Sequence, residues 1–218
     1  MDIQTWLAFV GASVALLLIP GPTVLLVLSY AISQGKKVAL ATVGGVALGD
    51  FIAMSASLAG LGALVLASAT LFTVLKWIGA VYLVYLGIKL FRSAGAASLG
   101  DLEAVTETRA ANVFGHAAAV TALNPKSIVF FIAFVPQFVA VDRPLLPQFA
   151  ILVATFVGLA ALNALAYALL ADRLRARIAR PSVLAWVSRL GGSALIAMGV
   201  ATAAVRLHHQ QHKYYRTF

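Results

Sequence analysis

Six apolar stretches, each long enough to cross a lipid bilayer, leave this chain almost no residues for anything but membrane-spanning helices. They run over about Thr5 to Ile32, Val38 to Ala67, Leu71 to Leu90, Val113 to Val141, Leu146 to Ala171 and Val183 to Val205. A crossing helix needs roughly 20 apolar residues, so six would use about 120 of the 218 available. The expectation is an all-α integral membrane protein of about six transmembrane helices, with no separate soluble domain. Composition agrees, because 62% of the residues are hydrophobic and 11% charged, against about half and about a quarter in soluble domains. The chain opens with Asp2 and no basic n-region, and its first apolar stretch outruns a signal-peptide core, so it reads as a retained first helix.

Polar clusters mark the ends of the stretches: Gln34 to Lys37, Lys89 with Arg92, Asp142 to Pro144, and Asp172 to Arg180. The boundary around Ser68 to Thr73 is the least sharply drawn. The net charge of +9 does not point to nucleic acid, because the cations flank apolar runs and form no dense basic face with polar or aromatic readers. They read instead as loop residues that contact anionic lipid and fix orientation. Lys36, Lys37, Lys89, Arg92, Arg109, Arg173, Arg175, Arg177 and Arg180 fall on the side of the odd-numbered loops; Lys76, Arg143, Arg206, Lys213 and Arg216 fall on the other. That asymmetry predicts cytoplasmic odd-numbered loops and both termini outside.

One stretch resembles a linker, Arg92 to Asn112, which divides the chain into a first three-helix repeat (1–92), a polar linker (93–112), a second three-helix repeat (113–206) and a tail (207–218). The halves correspond in order: Gly21-Pro22 with Asn124-Pro125, Gly45 to Asp50 with Gly158 to Asn163, and Gly79 and Gly87 with Gly191 and Gly199. Three spans per half force opposite insertion, which is the inverted-repeat plan of many secondary transporters.

The chemistry concentrates where spans one and four are interrupted. Pro20 and Pro22 lack the N–H groups that the carbonyls of Leu16 and Leu18 need, and Pro125 does the same to Thr121. Backbone left unpaired in hydrocarbon costs several kcal/mol per group, so such breaks belong where they pack in protein or line a wet cavity. Each break exposes a helix start, headed by Thr23 and Lys126, whose free N–H groups and dipole attract a carboxylate. Lys126 lies well inside span four, unless it sits shallower and snorkels to the interface. Asp50 is the one carboxylate deep in any span. Three roles stay open for it: carrying a proton, pairing with a substrate ammonium, or forming a structural pair with Lys126. Its repeat partner Asn163 keeps hydrogen-bonding capacity without charge. The candidate substrate-binding residues are therefore Gly21, Pro22, Thr23, Asp50, Asn124, Pro125, Lys126 and Asn163, with Asp50 as the proton-coupling candidate.

Other features carry less. Gly45 and Gly49 form a small-residue face, joined by Gly44, Gly79, Gly87, Gly158, Gly191 and Gly199; such faces pack within one chain or between copies, which leaves a homo-oligomer open. Arg189, Trp6, Trp77, Trp186, Tyr82 and Tyr85 suit interfacial anchoring or packing. His208, His209 and His212 have no carboxylate or thiol beside them and read as a solvated tail, and His116 has no visible partner. Cysteine is absent, which removes dithiol redox chemistry and thiolate metal sites. Nothing calls for a cofactor or an enzymatic reaction.

The chain resembles the lysine-exporter and homoserine/threonine-exporter (LysE/RhtB) family of bacterial amino-acid efflux proteins over essentially its whole length. The resemblance rests on Ile19-Pro20-Gly21-Pro22, Gly44-Gly45 with Gly49-Asp50, Lys76-Trp77-Ile78-Gly79 through Tyr85-Leu86-Gly87, and Asn124-Pro125-Lys126. It implies a multi-pass inner-membrane exporter, driven by the proton gradient, that carries amino acids or close derivatives outward. The combined expectation sets the substrate carboxylate against Gly21 to Thr23 and Asn124 to Lys126, with Asp50 near its ammonium or the driving proton, while the halves rock around this site. The alternative from the residues alone is a membrane exporter of metal ions or other small solutes using Asp50, Asn163 and the histidine tail. Hard cations, however, prefer several oxygen ligands including carboxylates.

Overall fold

A computed structural model describes residues 1–19, 21–93 and 109–171, together with helical positions 182, 185, 186, 189, 190, 193, 196, 197 and 200. Pro20, most of the expected linker, the Asp172 to Arg180 cluster and the histidine tail lie outside the described residues. Six α-helices and one 3₁₀ turn are defined: α1 (Ile3–Leu18), α2 (Pro22–Ala67), α3 (Ala69–Ser93), α4 (Ala110–Ala122), α5 (Pro125–Phe134), η1 (Val135–Phe138) and α6 (Leu145–Leu169). Val38–Ala67 and Leu145–Leu169 are apolar and long enough to span a bilayer. Two bent helix pairs reach that length when each is taken as one span: Ile3–Leu18 continues into Pro22–Ala31 through a 59° bend, and Ala110–Ala122 into Pro125–Phe138 through 44°. These breaks fall at the interruptions expected from Pro22 and Pro125. The third expected span is α3, although its clearly apolar part is shorter, Thr70–Tyr82. The sixth falls largely outside the described residues.

Local chemistry accounts for the ends. Asp2 caps α1 by accepting from the Thr5 N–H at 2.8 Å and the Thr5 hydroxyl at 2.9 Å, and those bonds hold its carboxyl below the ordinary carboxylate range. The uncertain second boundary is a single residue: Ser68 alone separates α2 from α3, and its Oγ accepts from the Leu71 N–H at 3.2 Å as an N-cap does. At the α5–α6 connection, buried Gln148 ties the loop together, accepting from the Ala140 N–H and donating to the carbonyls of Ala140, Arg143 and Pro144.

The helical run α2 is not one rod. A straight helix would set Val24 and Val46 about 33 Å apart, yet they belong to one buried cluster, so the chain doubles back between Ala31 and Val38, at the polar Gln34 to Lys37 segment. Its second limb meets α4 backbone to backbone. A Cβ on Gly45 would fall 2.8 Å from the Ala117 Cβ, and one on Gly49 would fall 2.6 Å from the Ala118 carbonyl oxygen; only glycine permits this approach. That part of the small-residue face is thus used within the chain. Gly158, the expected counterpart of Gly45, faces open space.

Two apolar clusters divide the interior. One joins Phe9, Leu16, Met54, Leu58, Phe130, Phe131, Phe134, Leu152 and Phe156, with edge-on aromatic contacts such as Phe131 to Phe156 at 4.8 Å and Phe9 to Phe138 at 5.3 Å. The other joins Val24, Val27, Leu28, Val46, Ala164, Tyr167 and Ala168. The chain passes from one to the other near Ile19, Asp50 and Asn163, the level of buried Asp50, Asn124 and Ser127.

Candidate functional site

A cavity of about 40 Å³ lies between the two clusters, lined by both helix breaks, the second limb of α2 and the middle of α6. At roughly 10–15 Å³ for one water it has room for a few waters and less than an amino acid requires, so admitting such a solute means widening. Gly21, Thr23, Asp50, Asn124, Lys126 and Asn163 all line it. Pro22 and Pro125 stand just behind, at the first positions of α2 and α5.

The two breaks are built differently. Leu123 and Asn124 close α4 with backbone bonds to Ala119 and Thr121, and the Asn124 side chain caps α5 by accepting from the Lys126 N–H at 3.0 Å. The Asn124 amide then donates to Thr23 Oγ1 at 3.1 Å, which lies 3.4 Å from Thr121 Oγ1. Gly21 has no side chain with which to cap α2, and the carbonyls at the end of α1, of which that of Leu16 also accepts from the Ile19 N–H at 3.2 Å, are met from the far half of the chain. Lys126 Nζ donates to the carbonyls of Leu16 at 2.9 Å and Ile19 at 2.6 Å. Asn163 donates to Leu17 at 3.2 Å and the Tyr167 hydroxyl to Leu18 at 3.4 Å. A cation at a helix carboxyl end also suits the dipole, by about 0.3–2 kcal/mol.

Lys126 therefore heads α5 by its backbone while its side chain passes over Gly21 to reach α1. Asp50 is 3% exposed. It feels Lys126 through space but makes no hydrogen bond, and no ion pair joins the two among the described residues. Asp50 is also the one buried carboxylate among the described residues.

Sequence reasoning passed over three participants. Tyr167 lies one helical turn beyond Asn163, a spacing that could have revealed it. Ser127 follows Lys126 and lines the cavity with 9% exposure. Thr121 sits one turn before Asn124. Away from the cavity, His116 does have a partner, since its Nδ1 lies 2.9 Å from the Tyr30 hydroxyl. Among the described residues no group of three His, Asp or Glu is placed to hold a metal.

Comparison with known proteins extends these observations. A family model described as LysE type translocator matches residues 14–205. The homoserine/homoserine lactone efflux protein of Salmonella typhimurium is 35% identical over 206 residues, covering 94% of this chain and 99% of that protein. A leucine efflux protein of Salmonella choleraesuis is 34% identical over 139 residues, 64% of this chain and 65% of its own length. No solved structure matches the chain. The family match spans both helix breaks and the cavity between them, on an all-helical frame of bilayer-crossing length, and the chain belongs to the LysE type translocators, a family of membrane transporters and not of enzymes.

Proposed function

We propose that this protein exports amino acids or close derivatives across the bacterial inner membrane, driven by the proton gradient, by exposing the cavity alternately to the two sides. The observation that carries the reading is the position of Asp50, a buried carboxylate without a hydrogen bond among the described residues, in a small cavity between two apolar clusters and beside two broken helices. A carboxylate so placed can exchange a proton for a solute cation as access changes. The efflux functions named for the two Salmonella relatives support the outward direction and the substrate class.

In this reading residues 1–92 and 113–206 are inverted repeats, and the odd-numbered loops face the cytoplasm. The paired breaks at Pro22 and Pro125 support the repeat. Efflux from cells loaded with a panel of amino acids, with and without an uncoupler, tests the function. Efflux above control cells that the uncoupler abolishes and that Asp50→Asn loses at normal membrane abundance is the expected result. No efflux of any amino acid above control overturns the substrate class. Full activity and unchanged pH dependence in Asp50→Asn removes the proposed coupling. No observation favours a metal-ion exporter over this reading.

A further inference from the structure

Away from the cavity, two hydrogen bonds between side chains join helices from the two ends of the chain, one beside each apolar cluster. Trp6 Nε1 donates to Thr155 Oγ1 at 3.0 Å and ties α1 to α6; Phe9, Leu152 and Phe156, within a turn of them, belong to the aromatic cluster. The Tyr30 hydroxyl lies 2.9 Å from His116 Nδ1 and ties the first limb of α2 to α4; Val27 and Leu28, in the turn before Tyr30, belong to the aliphatic cluster. At about 1.5 Å of rise per residue, Trp6 stands about 20 Å of helix before the first break and Tyr30 about 12 Å after it. The bend between those segments is 59°, less than a right angle, so they run on to opposite sides of the cavity. His116 lies between the start of α4 at Ala110 and the second break, which puts its bond on the linker side. Each bond spans a contact that must part if the cavity is to open on its side. The ties from Lys126 to the end of α1 carry a full charge, whereas each of these two is a single bond without an ion pair, worth about two- to tenfold in an equilibrium. Such a bond biases a closed state and still breaks in every cycle.

We infer that Tyr30 with His116, and Trp6 with Thr155, are the latches of two opposed gates, the first closing the cavity toward the linker side and the second toward the start of α1, and that a transport cycle breaks them in alternation. This rests on the alternating exposure proposed above and names the residues that hold each side shut. All four are positioning residues, since none of them lines the cavity.

The test is sided labelling of one cysteine in the cavity wall. The chain has no cysteine of its own, so Ser127→Cys supplies a single reporter, and a membrane-impermeant maleimide reaches it from one face in right-side-out vesicles and from the other in inside-out vesicles. Tyr30→Phe, which keeps the ring and removes the hydroxyl, should speed labelling about two- to tenfold in the orientation that exposes the linker. Thr155→Val, which keeps the shape and removes the acceptor, should do so in the opposite orientation. His116→Leu should match Tyr30→Phe, and the double variant should add nothing, a coupling that general loosening of the fold does not produce. Rates that rise on the same side for both latches, rates that do not change, or single effects at Tyr30 and His116 that multiply overturn the inference and leave alternating exposure standing. Labelling from neither side in the parent or any variant strikes the alternating exposure itself.

Discussion

The two helix breaks share a sequence pattern and differ in what completes them. The break between α4 and α5 is self-contained: Asn124 caps the following helix, and backbone bonds close the preceding one. The break between α1 and α2 has one backbone bond of its own, from the Ile19 N–H to the Leu16 carbonyl, and otherwise relies on Lys126, Asn163 and Tyr167, more than a hundred positions away in the chain. A self-capped break keeps its shape whatever its neighbours do. A break capped from outside reports the position of the other half, which makes it the natural place for the two halves to sense each other.

The sharpest way to break this comparison is Lys126→Met. It strands the Ile19 carbonyl, at about 1–3 kcal/mol for an orphaned buried group, and leaves the Leu16 carbonyl with only the Ile19 N–H; it should lower the thermal unfolding midpoint in detergent by more than any other single change at either break while abolishing transport. Equal losses for Lys126→Met and Asn124→Ala would mean that the first break does not depend on the second half. Next come the glycines. Gly49→Ala should cost about 1–3 kcal/mol by overpacking against Ala118 and Thr121, which a Cβ would approach at 2.6 and 2.7 Å. Gly158→Ala, which meets nothing within 4 Å, should be neutral or gain up to about 1 kcal/mol of helix propensity. Thermal midpoints of the two variants, measured side by side, check the sign. Asn124→Ala removes one cap and should cost about 1 kcal/mol, with Asn124→Asp retaining most of it.

The smallest effect belongs to Asp2. Its carboxyl titrates below its ordinary value because Thr5 donates to it twice. The stability it adds is present above the unfolded-state value and fades as pH falls through the lower folded value. Asp2→Asn should flatten that acid limb of the midpoint-versus-pH curve and leave neutral pH nearly unchanged.

Much of this arrangement was legible from residue type alone. Pro22 and Pro125 announce breaks because proline has no N–H to give, wherever it sits. Asp50 stands out because a carboxylate is conspicuous in an apolar run. What stayed hidden depends on tertiary reach. Nothing in the string of letters says that the Lys126 side chain turns back over Gly21 to the end of α1, or that Tyr30 finds His116. Ser127 was passed over because serine is ordinary on a helix, and its place in the cavity wall appears only once its surroundings are known. The Gly45 and Gly158 correspondence was real as a spacing but not as packing, since a glycine pattern does not reveal which faces are pressed against a neighbour.

The glycine seam separates two notions of a half. Where main chain touches main chain at Gly45 and Gly49, no flexible side chain is available to absorb sliding, and the second limb of α2 and α4 are expected to move together. One belongs to the leading half of the sequence and the other to the trailing half. This seam joins elements on either side of the division between the proposed repeats, and a spin-label pair straddling it should hold its distance through a transport cycle in which pairs placed across the cavity do not.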